Sequence, residues 1–372
     1  MLILKIVSLI KNIYQIKVLN LSRLFMRLFF VLVIAFAHLL ASAQEINYVK
    51  AYYPQINKAE LAVVEGKYKD AFENYEKAFA AAPRAFMRDY FNAAVCATYL
   101  GDATNTYKYL LEVAGKGISL DFIKDETAFI GIQQDQNWRN FEKEYLAKKR
   151  EFDQKINKGL KDKLTKIVER DQWFRVRDAQ AFADTIVKVD RQNATELDYI
   201  FDRYGFPGED QIGCGDGGMP IIQYPFYTVI RRQTPENQTI NFSNYLMAAV
   251  RSGRITPHSA THIMATINGN DVFFARHVFK IMTDESLSMQ GKPFAAKLNK
   301  WFFRQIDAAD EQRINEMRLQ NGMETLAEYR KKIIFSLNDN RFLFPYRSYV
   351  GMWSVNNPNI ASDYLEGTVV LE

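Results

Sequence analysis

The fold of the first part of the chain is indicated most clearly by the stretch Ala59-Glu-Leu-Ala-Val-Val-Glu-Gly-Lys-Tyr-Lys-Asp-Ala-Phe-Glu-Asn-Tyr-Glu-Lys-Ala-Phe-Ala-Ala-Ala-Pro83. Gly66 permits a tight turn between two helical segments, and Pro83 prevents the second helix from continuing. Small residues let the two helices approach closely, and Tyr75 is large enough to fill the gap between them. The stretch therefore predicts a helical hairpin.

A weaker copy of this pattern follows 35 residues later. Gly101-Asp102 stands at the turn and Tyr109 on the following helix, but Thr106 takes the place of Ala71. A third helical pair is predicted from Leu120 through Trp138 to Lys149. Two or three hairpins in succession indicate a short helical stack.

Gly66, Tyr68, Ala71, Tyr75, Ala78 and Pro83 stand at spacings that resemble a tetratricopeptide repeat. The resemblance implies either a binding surface for a protein or peptide partner, or a structural platform for an attached domain. Each unit buries its apolar face only against the next, so we expect the C-terminal part of the chain to cap the stack.

The length of 372 residues predicts two domains after the leader. We expect a mainly α protein, with tetratricopeptide-like hairpins over residues 44–150 and an α-rich globular domain over residues 151–372. Short β segments are expected near the C-terminus, where the aromatic stretch 341–353 has an extended pattern and is expected to pack as a tail on the second domain. The charged stretch 148–170 is expected to be a solvated connecting helix.

The net charge of +5 comes from the N-terminus alone. Residues 1–43 hold five basic residues and no acidic ones, and the remaining 43 basic residues match 43 acidic ones. A nucleic-acid partner is therefore not expected, because the expected mature chain carries no excess positive charge.

The N-terminal segment has the pattern of an export signal. Arg23 and Arg27 precede the apolar run 28–40, and Ala41-Ser-Ala43 fits a cleavage site. A membrane anchor is the alternative, but a run of about thirteen apolar residues is short of the roughly 20 that span a bilayer. We expect 1–43 to be a cleaved signal peptide, with Met26 as an alternative start. The mature protein is then periplasmic or extracellular, without stable membrane insertion.

The second domain contains several short motifs, among them Asp171-Gln-Trp-Phe-Arg175, Tyr204-Gly-Phe-Pro207 and Asn315-Glu-Met-Arg318. In their order and spacing they resemble an uncharacterised bacterial domain family of the Bacteroidetes type, found mainly in exported proteins. The resemblance covers about residues 164–333 and implies an α-rich domain with no activity to carry over. The family typically has Gln-His where this chain has Gln223-Tyr224, so any family chemistry that needs that histidine is expected to be missing. The motifs are Asp171-Gln-Trp-Phe-Arg175, Asp190-Arg-Gln-Asn193, Tyr204-Gly-Phe-Pro207 and Asn315-Glu-Met-Arg318 with Gly322, Leu326 and Tyr329.

These motifs provide a candidate cleft made of Asp171, Arg175, Asp190, Asn193 and Gln223. Asp171 and Arg175 are four residues apart, which favours a helical ion pair. The alternative is an Arg175 that faces a cleft and receives an anionic group. Asp190 and Asn193 similarly favour an N-cap for a helix starting at Ala194, against a role in the cleft.

His258, His262 and His277 are candidate metal ligands. Thr256-Pro257 is a typical helix start, which places His258 and His262 one turn apart on one face. Two imidazoles at that spacing suit zinc, but Ser259 stands where the metalloprotease motif has its glutamate. No cofactor is expected, with zinc as the alternative.

Two further features carry less chemistry. The segment Gly213-Cys-Gly-Asp-Gly-Gly218 follows no clear strand, so it predicts a flexible connection and not a phosphate loop. Cys96 and Cys214 lie in different predicted domains, and we expect no disulfide between them. No complete catalytic constellation is present. The sequence therefore favours an exported protein-interaction or assembly protein, and the alternative is a hydrolase-like enzyme that uses the cleft and the histidines.

Overall fold

Two glycines close the first two helical hairpins. Gly66 and Gly101 both adopt φ of 71°, a conformation that costs glycine little and other residues more. The computed structural model describes residues 46–220, 223–276, 278–283, 300–355 and 365–371. Its first helices are α1 (Tyr48–Ala51), α2 (Tyr53–Val64), α3 (Tyr68–Ala81), α4 (Met87–Tyr99) and α5 (Ala103–Ala114).

The predicted hairpin packing is present. Ala71, Tyr75 and Ala78 are fully buried between α2 and the helices that follow it. The third pair is less regular than predicted, because its first helix, α6 (Leu120–Asp125), gives way to two 3-10 turns before α7 (Trp138–Lys155).

The prediction of one connecting helix over 148–170 is wrong, because two helices share this stretch. The chain breaks at Ile156 and Asn157, and the Asn157 side chain caps α8 (Lys158–Asp178) by accepting from the Leu160 amide at 3.0 Å. Helix α9 (Ala183–Tyr204) then returns beside α8. The described residues from Asn47 onward form one compact unit, and position 150 lies inside α7.

The rest of the chain is mainly helical with short strands, as predicted. A four-stranded sheet has the order β5 (Gly351–Val355), β3 (Val278–Thr283), β4 (Trp301–Arg304) and β6 (Thr368–Val370). Strands β3 and β5 are parallel, and the other neighbouring pairs are antiparallel. No helix in the described ranges is long and apolar enough to cross a membrane. The remaining elements are α10 (Glu209–Ile212), β1 (Gly215–Asp216), β2 (Met219–Pro220), α11 (Phe226–Ile230), α12 (Ser243–Arg251), α13 (Pro257–Ile267), β3 (Val278–Thr283), β4 (Trp301–Arg304), α14 (Ala308–Gln320), α15 (Leu326–Asn338), a 3-10 helix (Pro345–Tyr349), β5 (Gly351–Val355) and β6 (Thr368–Val370).

The glycine-rich segment 213–218 is a packed element and not the expected flexible connection. The Cys214 amide donates to the Lys116 carbonyl at 3.1 Å, and the Ser119 amide donates to the Gly218 carbonyl at 2.9 Å. A Cβ at Gly215 would stand 2.7 Å from the Gly117 carbonyl oxygen, so the glycine lets two backbones touch. Cys214 is free and buried, as is Cys96, which confirms that no disulfide joins them.

The aromatic tail packs on the hairpins as well as on the second domain. Phe342 stacks on Tyr68 and Tyr99, with ring centroids 6.0 and 6.4 Å away. The Asn92 side chain hydrogen-bonds the tail backbone, since its Oδ1 accepts from the Leu343 amide at 2.8 Å. Tyr346 of the tail also donates to Glu60 of α2, so this chain's own C-terminal segment covers a hairpin face to which α2 and α4 contribute.

We predict that Asn92→Leu lowers the free energy of unfolding by about 1–3 kcal/mol, because the Leu343 amide loses its acceptor at a buried position. Urea denaturation measures this change. Asn74→Leu is the control, since the Asn74 side chain donates only to the Asp70 carbonyl at an exposed site of α3, and its loss should change stability by less than about 0.5 kcal/mol. Equal effects of the two substitutions would contradict a stabilising role of the hydrogen bond between Asn92 and the Leu343 amide.

Candidate functional site

Arg175 of α8 pairs with carboxylates on its own helix and on α9. Arg175 Nη1 donates to Asp171 Oδ1 at 2.9 Å, and its Nη2 donates to both carboxylate oxygens of Asp190 at 2.8 Å. Both carboxylates are buried, and the arginine side chain is mostly so. The helical pair predicted between Asp171 and Arg175 is confirmed, and Asp190 completes it from the facing helix.

Other side chains satisfy the same two carboxylates. Arg232 donates to both Asp171 oxygens at 3.3 Å, and the Gln172 amide donates to Asp171 Oδ2 at 2.6 Å. The Asn237 amide donates to Asp190 Oδ2 at 3.2 Å. Every oxygen of the two carboxylates thus accepts a hydrogen bond, and both anions have charge-assisted partners.

The predicted N-cap role of Asp190 and Asn193 is wrong. Helix α9 begins at Ala183, so both residues lie in its interior. Their polar groups face α8, where Asn193 Oδ1 accepts from Arg170 Nε at 2.6 Å. Arg170 also pairs with Glu196 at 2.6 Å, which gives a second tie between the two helices. We call Arg170, Asp171, Arg175, Asp190, Asn193 and Glu196 the interhelical clamp.

Sequence reasoning missed several members of this arrangement. Arg170 immediately precedes the Asp171 motif, and Arg232 lies 61 positions further on, so no local spacing connects them. Gln223 is half-buried three residues before α11 and stands outside the hydrogen bonds of the clamp described above. The predicted cleft is thus a set of mutually paired side chains, with Gln223 apart from them.

A groove of about 360 Å³ runs along α8 beside the clamp. Its volume falls within the range of small-molecule sites, roughly 300–1,000 Å³. Gln172 lines the groove and also holds Asp171, so the groove reaches the clamp. The lining residues are Lys161, Leu164, Thr165, Val168, Glu169, Gln172, Ile212, Tyr224, Pro225 and Phe226.

His258 belongs to a separate buried cluster. Helix α13 begins as predicted, with the Thr256 side chain capping it and Pro257 at its first position. His258 Nε2 lies 2.8 Å from Glu324 Oε1, and burial lowers the pKa of the imidazole. Burial alone would raise the pKa of Glu324, but His258, Lys332 and Arg318 hold it well below its usual value.

Lys332 connects this cluster to the first hairpin. Its ammonium donates to Glu324 at 3.0 Å and to Glu60 of α2 at 2.6 Å, and all three side chains are fully or almost fully buried. Tyr346 of the tail also donates to Glu60. A chain of buried charges therefore ties α2, α15 and the tail together.

His262 lies one turn beyond His258 but in a different environment. It is half-buried beside the Tyr349 ring, with centroids 5.4 Å apart. Its Nδ1 has no hydrogen-bond partner within the described residues. Among those residues no group of three or more His, Cys, Asp or Glu side chains could hold a metal ion, and His277 lies outside them.

We predict a pH-dependent contribution of His262 to stability. Burial, together with Arg276 and Arg231, lowers its pKa to about 4 from 6.5. As the pH falls, His262 therefore binds a proton in the unfolded chain before it does so in the folded chain. The contribution of His262 to the free energy of unfolding is complete above pH 6.5 and is lost as the pH falls to 4. Between those values the wild type should lose up to about 1.4 kcal/mol per pH unit relative to His262→Phe. Urea denaturation of both proteins at several pH values measures the difference, and a difference independent of pH would contradict the assignment.

Comparison of the chain with protein families, with curated proteins and with solved structures finds no match.

Proposed function

We propose that this chain is an exported protein-interaction or assembly protein, and that the end of the α8–α9 hairpin binds its partner. The observation that carries the proposal is the apolar surface there. Val176 is 77% exposed, Trp173 56% and Val187 38%. We call residues 173–187 the hairpin tip. Clustered exposed apolar side chains on a folded protein are typical of interaction surfaces.

The interhelical clamp supports this role because it holds the base of the hairpin tip. Arg175 and Arg170 each join α8 to α9, and their partners Asp171, Asp190 and Asn193 are buried. A surface held in one conformation loses less entropy on binding. Arg177 also stacks on Trp173, with its guanidinium carbon 3.4 Å from the ring centre. Tryptophan and arginine are the residues that most often dominate binding energy at interfaces.

The covered face of the hairpins favours the tip over the repeats as the partner surface. Phe342, Leu343 and Tyr346 occupy the side of α2 and α4 that a partner of the repeats would need. The repeats then act as the platform that carries the second domain. The clamp carboxylates Asp171 and Asp190, meanwhile, accept from arginines of the clamp and from Arg232, Gln172 and Asn237. Carboxylates already paired in this way support a binding role more than a hydrolytic one.

Site-specific photocrosslinking tests the proposal. A photoreactive amino acid at Val176 should give a discrete adduct in the producing cells, and Trp173→Ser should abolish it. Lys166 is the control position, since it is exposed on the same helix but outside the tip. An adduct of twice the chain mass would identify a second copy as the partner. The same adducts from both positions, or none from Val176, would overturn the proposal.

A further inference from the structure

One face of α8 forms the floor of the groove, and Leu164 and Val168 are its apolar residues. Lys161, Leu164, Thr165 and Val168 line it at positions i, i+3, i+4 and i+7, so they form a single stripe along the helix. The facing wall is contributed by the segment Tyr224-Pro-Phe226 and by Ile212. Leu164, Ile212 and Phe226 are themselves buried, so the bottom of the groove is formed by residues of the protein core.

The charged groups on the described lining stand near its two ends. Lys161 lies at the first turn of α8, and its Nζ is 3.5 Å from the Gly215 carbonyl, at the limit of a hydrogen bond. Glu169 lies two turns further along and is exposed to solvent. Lys161 is half-buried and Glu169 is exposed, so water screens the charge of Lys161 less than the charge of Glu169. The groove therefore favours an anionic group at the Lys161 end.

We propose that the groove binds a free medium-chain carboxylate, with its head group on Lys161 and its alkyl chain over Leu164 and Val168. This inference is independent of the hairpin tip. At about 1.5 Å per residue, Lys161 and Val168 are roughly 10 Å apart along the helix axis, which matches an alkyl chain of about eight carbons. The polar amide of Gln172 lies one turn further on and limits the length of chain that is bound favourably.

Isothermal titration of the purified protein with hexanoate, octanoate and octanol tests this assignment. Octanoate should bind about tenfold more tightly than hexanoate, because two more methylenes are buried. Lys161→Gln should weaken octanoate binding about threefold to fivefold and leave octanol binding unchanged. Lys166→Gln is the matched control, because Lys166 is exposed on α8 outside the groove and should have no effect on binding.

A second pair of variants tests the location without a change of charge. Thr165→Trp should block the groove and abolish octanoate binding, while Lys166→Trp should not. Both positions are exposed, so neither substitution disturbs the core. Equal binding to wild type and Thr165→Trp would overturn the proposal, as would equal losses in Lys161→Gln and Lys166→Gln. Lys161-dependent sedimentation with anionic phosphatidylglycerol vesicles, without binding of free octanoate, would assign the groove to a membrane surface and overturn the proposal.

Discussion

Replacement of Lys332 by Met is expected to lower the free energy of unfolding by about 3–5 kcal/mol. The lysine side chain has no solvent exposure, and its ammonium is the shared partner of Glu60 and Glu324. Without it two buried carboxylates lose a cation, and burial of an unpaired charge is among the most costly changes in a protein. Urea denaturation monitored by circular dichroism measures the loss.

Lys331→Met is the matched control, because Lys331 is the neighbouring residue on α15 and is exposed. Its effect should be within about 0.5 kcal/mol of zero. The double variant Glu60→Gln with Lys332→Met should recover part of the loss, since it removes one of the two buried carboxylates that lose the lysine. A loss below about 1 kcal/mol in Lys332→Met would show that the buried cluster does not hold α15 to α2.

Replacement of Arg175 by Met is expected to cost about 3 kcal/mol and to loosen the hairpin tip. The arginine makes the direct ion pairs from α8 to Asp190, while Asp171 keeps Arg232 and Gln172 as partners. The damage should therefore be concentrated where α8 meets α9. Hydrogen exchange of the backbone amides should rise at the end of α8 and the start of α9 more than in α2–α5.

Arg177→Met is the control for Arg175, since it removes the same charge two residues further along from an exposed position. It should leave the stability of the clamp unchanged while removing the stacking contact with Trp173. If both substitutions increased exchange equally, Arg175 would have no special role in joining the helices.

The helical hairpins could be predicted because their signals are local. Gly66 and Gly101 each set the turn between the two helices that directly flank it in sequence, and the structure places both glycines and the small residues Ala71 and Ala78 as expected. The start of α13 at Pro257 is predictable for the same reason. The order of the four strands could not be predicted, since β3 lies between β4 and β5, which are distant from each other in sequence.

The candidate site could be predicted only in part. The spacing of Asp171 and Arg175 indicates a helical pair, but the role of Asp190 depends on where α9 begins. An aspartate that faces a neighbouring helix and one that caps its own helix look alike in sequence. The Lys332 cluster was missed because its partners are 272 and 8 positions away, and the remote one carries no periodic signal.

The tail that covers the hairpins affects the order in which the protein can fold. The hydrogen bond from Tyr346 to Glu60 joins positions 286 residues apart, so α2 cannot complete its buried contacts until nearly the whole chain has been synthesised. Contacts of such long sequence separation slow folding, because a large loop must close before they contribute. Polypeptides that end before residue 341 are therefore expected to expose the apolar face of α2 and α4 and to aggregate rather than to accumulate as a stable N-terminal fragment.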